Sequence, residues 1–255
     1  MKQLVHHDVL DLRVGEVVEI RGEDEILATL DERGELDGLP LMPEMLQFCG
    51  RRFHVAKRAN KLCDTISGGG MHRMEHAVHL QGVRCDGQGH GGCQAACLVY
   101  WKEAWLKRVD DDGDGTAPPR PRSGSSLPLL TQAARRTVGD PAEEVFACQA
   151  TELLRAAPKR IPPWDIGQYV EDVRSRNAGL FTTLRTVVVG AFNEYQDLSA
   201  RFLPRRLRIH QGKRYPFLDG AQRRTPTGTL DLRPGELVRI KSKEEIVKTL
   251  DVGNR

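Results

Sequence analysis

The sequence predicts an α+β chain, and three patterns carry that prediction. Short apolar/polar alternations punctuated by glycine occupy residues 14–109, apolar residues at helical spacing occupy residues 140–202, and residues 230–251 repeat residues 10–31 without a gap. The expected organisation is a small SH3-like β-barrel unit (1–109), a flexible linker (110–127), a helical bundle segment (128–204), a basic connector (205–229) and a truncated second copy of the barrel unit (230–255).

In the first unit Val14, Val18 and Ile20 fit a strand entered through a turn at Gly15-Glu16. Ile26, Leu27 and Leu30 then recur at helical spacing, so residues 23–30 read as a short helix ended by Asp31-Glu32-Arg33-Gly34. Pro40 and Pro43 hold the residues before them extended, and residues 42–47 read as one helical turn before Cys49-Gly50. Phe53, Val55 and Lys57 alternate with His54 and Ala56; residues 68–70 are a glycine turn; Val78 and Leu80 alternate with His79 and Gln81. Cys63 falls on an intervening strand, and residues 105–109 read as a closing strand. Short strands at this spacing suit a small curled barrel, which buries little and would gain from a metal staple.

Residues 110–126 are acidic, then rich in proline, glycine and serine, a composition that forms no core. Asp110, Asp112, Asp114 and Gly115 imitate the start of a calcium loop, but its twelfth position is Pro121, where a bidentate glutamate is needed. Asp140-Pro141 reads as a helix start, with the helix running through Val145, Cys148 and Leu153 to about Ala157. A second helix carries Ile166, Tyr169, Val170 and Val173. A third, over residues 180–202, places Leu184, Val187, Val188, Ala191, Phe192 and Tyr195 on one side.

The stretch 201–224 carries Arg201, Arg205, Arg206, Arg208, Lys213, Arg214, Arg223 and Arg224 against one acid, Asp219, with Tyr215 and Phe217 interleaved. That pattern allows contact with a nucleic-acid backbone, although a solvated connector explains it as well. In the repeat, 13 of 22 aligned positions are identical, among them Gly15/Gly235, Val18/Val238, Ile20/Ile240, Ile26/Ile246 and Leu30/Leu250. The second copy has its own capping box, Ser242-x-x-Glu245, and is expected to repeat the strand-then-helix conformation of the first.

The chemistry concentrates between residues 85 and 97, where Cys85, His90, Cys93 and Cys97 are threaded by Gly87, Gly89, Gly91 and Gly92. Read as a helix from residue 95 onward, Cys93 and Cys97 share a face, and the glycines let the loop fold over an ion. The expected metal ligands are Cys85, Cys93 and Cys97, with Cys63 as fourth and His90 competing for that place. Thiolates suit zinc or an iron–sulfur cluster almost equally. An alternative makes Cys93 a nucleophile with His90 as its base. His72, His76 and His79 form a second cluster only if they lie on a helix, which the strand pattern around Val78 opposes. Cys49 and Cys148 read as small buried residues, and Trp101 and Trp105 as core.

The series Gly15-Glu16-x-Val18, Cys49-Gly50-Arg51-Arg52-Phe53, Cys85-Asp86-Gly87, His90-Gly91-Gly92-Cys93, Cys97 and Trp101-Lys102-Glu103-Ala104-Trp105-Leu106 resembles an uncharacterised bacterial family. The resemblance implies two cysteine-containing SH3-like units flanking a helical middle, with the second unit truncated in this chain. It implies no activity.

The bulk numbers exclude little. A net charge of +3 over 255 residues does not argue for a nucleic-acid or membrane partner, and no apolar run reaches signal-peptide or membrane-span length. The expectation is a cytoplasmic protein, where clustered cysteines are metal ligands or redox thiols rather than disulfides. No phosphate loop, nucleotide fingerprint or paired-carboxylate motif occurs. The functional expectation is a metal-binding accessory or interaction protein with a protein partner. The alternative is a metal- or thiol-dependent enzyme of redox or transfer type in a bacterial biosynthetic pathway.

Overall fold

The computed structural model describes residues 9–64, 67–109, 127–138, 143–217, 220, 222–224 and 226–251. The expected linker and the rejected calcium loop lie almost wholly outside them. The chain divides into two compact units between Leu180 and Phe181.

The first unit begins with strand β1 (Val17–Ile20) and helix α1 (Glu23–Leu27), followed by the hairpin β2 (Glu35–Leu36) and β3 (Leu39–Pro40) and a 3₁₀ turn over Pro43–Phe48. Strands β4 (Arg52–Arg58), β5 (Leu62–Asp64), β6 (Gly70–Arg73), β7 (Ala77–Leu80), β8 (Trp101–Lys102) and β9 (Leu106–Arg108) come next. An antiparallel sheet of order β8-β7-β4-β1-β9 forms its centre. Its outer strands are consecutive in sequence, joined by a 3₁₀ turn over Glu103–Trp105. They do not pair with each other, so the sheets are open and the expected barrel does not close. Edges of two and three residues offer too few backbone groups for the register that closure needs.

Helix α2 (Leu127–Ala133), the hairpin β10 (Arg135–Val138) and β11 (Glu143–Phe146), the short helix α3 (Leu153–Ala156), strand β12 (Lys159–Ile161) and helix α4 (Ile166–Arg174) complete this unit. The helix expected over 140–157 is therefore wrong for most of its length. Val145 pairs across the hairpin with Arg136, and only residues 153–156 are helical. A helical run there has two β-branched or aromatic residues, Val145 and Phe146, which the pleat accommodates at least as well. β12 joins β6 and β5 in a second, antiparallel sheet.

Leu12, Val18, Ile20, Ile26, Leu39, Trp101, Trp105 and Leu106 are fully buried in one core. Trp101 and Trp105 meet edge to face at 6.4 Å, and Trp105 Nε1 donates to Thr29 Oγ1 at 3.0 Å. The segment 10–31 is seated by a buried carboxylate: Glu103 accepts from the backbone N–H groups of Leu10 (2.8 Å), Asp11 (3.0 Å) and Leu12 (3.2 Å). Asp11 has φ 49°, and this left-handed residue turns successive N–H groups to one side. The buried Arg58 guanidinium balances the charge, reaching Asp11 at 2.6 Å, Glu171 at 3.4 Å and Glu103 at 3.8 Å. The Arg58 hydrogen bond is the main cause that holds the Asp11 carboxyl below its ordinary value.

In the second unit α5 (Leu180–Phe202) is the long element. Gln196 is buried and donates to the carbonyls of Ile209 (2.8 Å) and Lys213 (3.1 Å), which folds residues 205–217 back along the helix. Its expected apolar side is not covered: Leu184, Val187, Val188 and Tyr195 are exposed. Helix α6 (Lys243–Thr249) closes the described chain.

The repeat keeps its local geometry in part. Asp231 has φ 50° and Gly235 91°, against 49° and 92° at Asp11 and Gly15. Glu236 N donates to Arg233 O at 3.2 Å, as Glu16 N does to Arg13 O. The capping box returns, Ser242 N to Glu245 Oε2 at 2.7 Å beside Gly22 N to Glu25 Oε2 at 2.9 Å. The strand does not return: residues 237–240 are unassigned. Turn and cap are local, whereas a strand exists only by pairing, so the strand-then-helix expectation holds for the helix alone.

Glu103→Gln should destabilise the protein by about 1–3 kcal/mol, because an amide oxygen receives three N–H donors less well than a carboxylate and leaves Arg58 short of a partner. Urea unfolding of the variant beside the parent checks it.

Candidate metal centre

The site is built on a loop closed at its neck. Arg84 and Leu98 form an antiparallel bridge, Cys85 N donates to Cys97 O at 2.9 Å, and Arg84 Nη1 donates to Ala96 O at 2.8 Å. Inside the neck, the N–H groups of His90 and Gly92 both turn onto Gly87 O, at 3.2 and 2.9 Å. Gly87 has φ 72°, and a Cβ there would stand 2.0 Å from Cys93 O, so no other residue fits that crossing. A Cβ at Gly89 would lie 2.4 Å from Glu44 Oε2; glycine there leaves room for a carboxylate arriving from the 3₁₀ turn.

That carboxylate is the group the sequence reading missed. Glu44, Cys85 and His90 bring one ligand atom each within 4.8 Å of one another. Cys85 Sγ lies 3.1 Å from Glu44 Oε1 and 3.7 Å from His90 Nε2, and His90 Nδ1 lies 3.3 Å from the same Glu44 oxygen. Glu44 is 4% exposed and His90 8%. Glu44 Oε2 is buried with no hydrogen-bond partner, and buried His90 Nδ1 faces Glu44 Oε1 without forming a hydrogen bond to it. Burial pushes the Cys85 thiol up to about 12, and Glu44, which accepts its proton, adds to the shift.

The triad opens on a cavity of about 270 Å³ whose walls include Cys93, Cys97 and Cys148, with Met42, Val99 and Tyr100 supplying apolar surface. Cys93 and Cys97 are exposed. They do not share a helix: residues 93–97 are irregular, and Ala96 has φ 47°, which breaks any helical turn. Cys148 follows β11 and reaches the cavity through a turn in which its N–H donates to Thr151 Oγ1 at 2.9 Å. Cys63 does not join them. It is exposed on β5, in the second sheet, and is no part of the cavity wall. The four-cysteine arrangement is thus replaced by one in which Cys85 and His90 meet Glu44, with Cys93, Cys97 and Cys148 around them.

The other candidates separate. His72 on β6 bonds Ala157 O at 2.8 Å, His79 on β7 bonds Val99 O at 2.9 Å, and His76 sits in a turn with φ 52°. Burial lowers the His79 pKa. Burial pushes the Cys49 thiol up to about 11, in keeping with a residue packed on the core. In the basic stretch Arg208 bonds the carbonyls of Leu203 and Ala200, and Arg214 lies 3.6 Å from Asp197.

Glu44 carried one signal in the sequence: it is the only charged residue between Leu39 and Phe48. An acid inside an apolar run needs a partner when the run is buried. Cys148 carried none, since the pattern around it read as a helix.

Alkylation of metal-free protein at pH 8 should label the exposed Cys63, Cys93 and Cys97 and spare Cys85, because thiolate is the reactive species; peptide mapping reads the four sites. The raised Cys85 pKa favours the protonated thiol in the folded state. Its contribution to stability is complete below the ordinary value of 9.0 and is lost as pH rises towards about 12. A melting temperature that falls from pH 9 upward, more in the parent than in Cys85→Ala, is the expected result.

Comparison with protein-family models, with curated proteins and with solved structures gives no match for this chain.

Proposed function

We propose that this is a metal-binding protein whose centre is formed by Glu44, Cys85 and His90 and is completed from the cavity that holds Cys93, Cys97 and Cys148. The observation that carries the reading is the convergence of Glu44, Cys85 and His90 within 4.8 Å, with Glu44 Oε2 buried and without a hydrogen-bond partner beside a partly buried thiol. A buried carboxylate oxygen left unsatisfied costs about 1–3 kcal/mol, and a cation bound by this carboxylate would remove that cost. A set of one carboxylate oxygen, one imidazole nitrogen and one thiolate suits zinc, a borderline-soft ion. The 3.7 Å from the thiol to His90 Nε2 falls in the roughly 3.3–3.8 Å between ligands of a tetrahedral ion bound at about 2.0–2.3 Å, and the 3.1 Å to Glu44 Oε1, a hydrogen bond in the metal-free site, would have to open slightly. The iron–sulfur reading rests on the four cysteines that line one cavity, three of which are also expected ligands from sequence.

Bound metal would hold the loop, the 3₁₀ turn and the neck together, and the role that follows is an accessory or interaction module with a protein partner. The strand order, with a 3₁₀ turn linking the outer strands of a five-stranded meander, supports an SH3-like build and with it the likeness to a bacterial family of paired units. We place it in the cytoplasm, where free thiols persist; among the described residues no helix is long and apolar enough to cross a membrane. One observation favours the enzyme alternative: three protein ligands beside an open cavity leave a coordination position for water or substrate.

Metal analysis with a visible spectrum of anaerobically purified protein separates the metals: stoichiometric, colourless zinc or a brown chromophore. Binding releases the Cys85 proton, so zinc affinity should rise about tenfold per pH unit between pH 6.5 and 7.5. Glu44→Gln and His90→Gln should each weaken it by more than the roughly 10–100-fold that losing an outer-shell partner costs, since each removes a ligand. Affinity independent of pH and of both substitutions would remove this centre.

A further inference from the structure

The neck of the cysteine loop sets two thiols opposite each other. Arg84 and Leu98 form an antiparallel bridge, and the next residue into the loop on each side is a cysteine, Cys85 and Cys97. Cys85 N donates to Cys97 O at 2.9 Å, so the two occupy directly opposed positions. Arg84 Nη1 donates to the Ala96 carbonyl at 2.8 Å and holds the returning strand from its side chain. Opposed residues of this kind stand about 5.5 Å apart at Cα, inside the roughly 4.4–6.8 Å that a disulfide spans. Opposed side chains leave the same face of a strand pair, and both of these line one cavity. Burial and the Glu44 hydrogen bond raise the Cys85 pKa, and charge on Cys97 adds to the rise, which needs the two thiols close together. Cys97 is exposed and Cys85 only partly so.

We propose that Cys85 and Cys97 are a redox pair, which a hydroperoxide joins into a disulfide across the neck. Cys97, the exposed member, reacts first. Its sulfur attacks the peroxide, the O–O bond breaks, and Cys97–SH and ROOH become the sulfenic acid Cys97–SOH and the alcohol ROH. The Cys85 sulfur then attacks the Cys97 sulfur. An S–S bond forms, the S–O bond breaks, and the Cys85 proton leaves with the hydroxide as water. Glu44 Oε1, 3.1 Å from Cys85 Sγ, is placed to receive that proton on its way. The two thiols lose two electrons and the peroxide gains them; a dithiol reductant reverses the bond by exchange. The consequence for metal rests on the reading of Cys85 as a ligand. A disulfide sulfur offers no thiolate, so oxidation withdraws that ligand from Glu44 and His90 and loosens the ion.

The test treats the metal-free full chain with one equivalent of hydrogen peroxide and maps the product without reduction. Cleavage before Asp86 parts Cys85 from Cys93 and Cys97, so only a disulfide keeps their peptides together. The expected result is a linked Cys85–Cys97 pair with the loss of two free thiols, retained in Cys93→Ser and Cys148→Ser and abolished in Cys97→Ser. The same treatment in urea should shift the product towards Cys93–Cys97, the pair with the shortest loop. A folded protein that joins Cys93 to Cys97, joins Cys97 to Cys148 or forms no intramolecular bond overturns the proposal. Zinc-loaded protein treated alike separates the pair from the metal reading. Zinc released in step with the link supports both. A link that forms while zinc stays bound, or in protein that takes up no zinc, supports the pair and removes Cys85 as a metal ligand.

Discussion

Three backbone N–H groups end on one buried carboxylate, and the first unit is arranged around that contact. Glu103 lies in the turn between the two outer strands of the sheet, and Leu10, Asp11 and Leu12 lie at the start of the segment that supplies β1, an inner strand. The contact therefore ties the last part of the sheet to the first. A carboxylate buried this deeply is tolerated because its acceptor sites are filled and Arg58 lies beside it. With β1 held, β4 and β9 have a strand to pair with on either side, and β7 then leads the chain to the neck of the cysteine loop.

The candidate metal centre follows a different logic. Its groups are buried but incompletely satisfied, unlike those around Glu103. Glu44 accepts a hydrogen bond from the Cys85 thiol on one oxygen and leaves the other without a partner. Glycine at positions 87 and 89 lets backbone and carboxylate approach closer than a Cβ permits. No larger residue fits the crossing at Gly87, and the close approach leaves Glu44, Cys85 and His90 within 4.8 Å of one another, where a cation could be held.

The sequence made some of this legible. Period-two alternation located β4 and β7, helical spacing located α1, α4 and α5, and the cysteine loop announced Cys85 and His90. Where it misled, the deciding contact was distant in sequence. Val145 pairs in a hairpin whose partner, Arg136, no helical period registers. Cys63 lies on the expected strand, but that strand joins a second sheet through β6 and β12, which spacing does not encode. Glu44 is separated from Cys85 by 41 residues, and only the folded neck brings them together. Residues 237–240 match β1 in sequence and are not a strand, which shows pairing outweighing local preference in the same chain.

X-ray absorption at the metal edge, combined with anomalous diffraction from crystals of the purified protein, tests the account most directly. It predicts one strong scatterer between Glu44, Cys85 and His90, with at least one sulfur and two lighter ligands in its coordination shell. A protein without a scatterer there, or with metal held instead by Cys63 and residues outside this cavity, would contradict it.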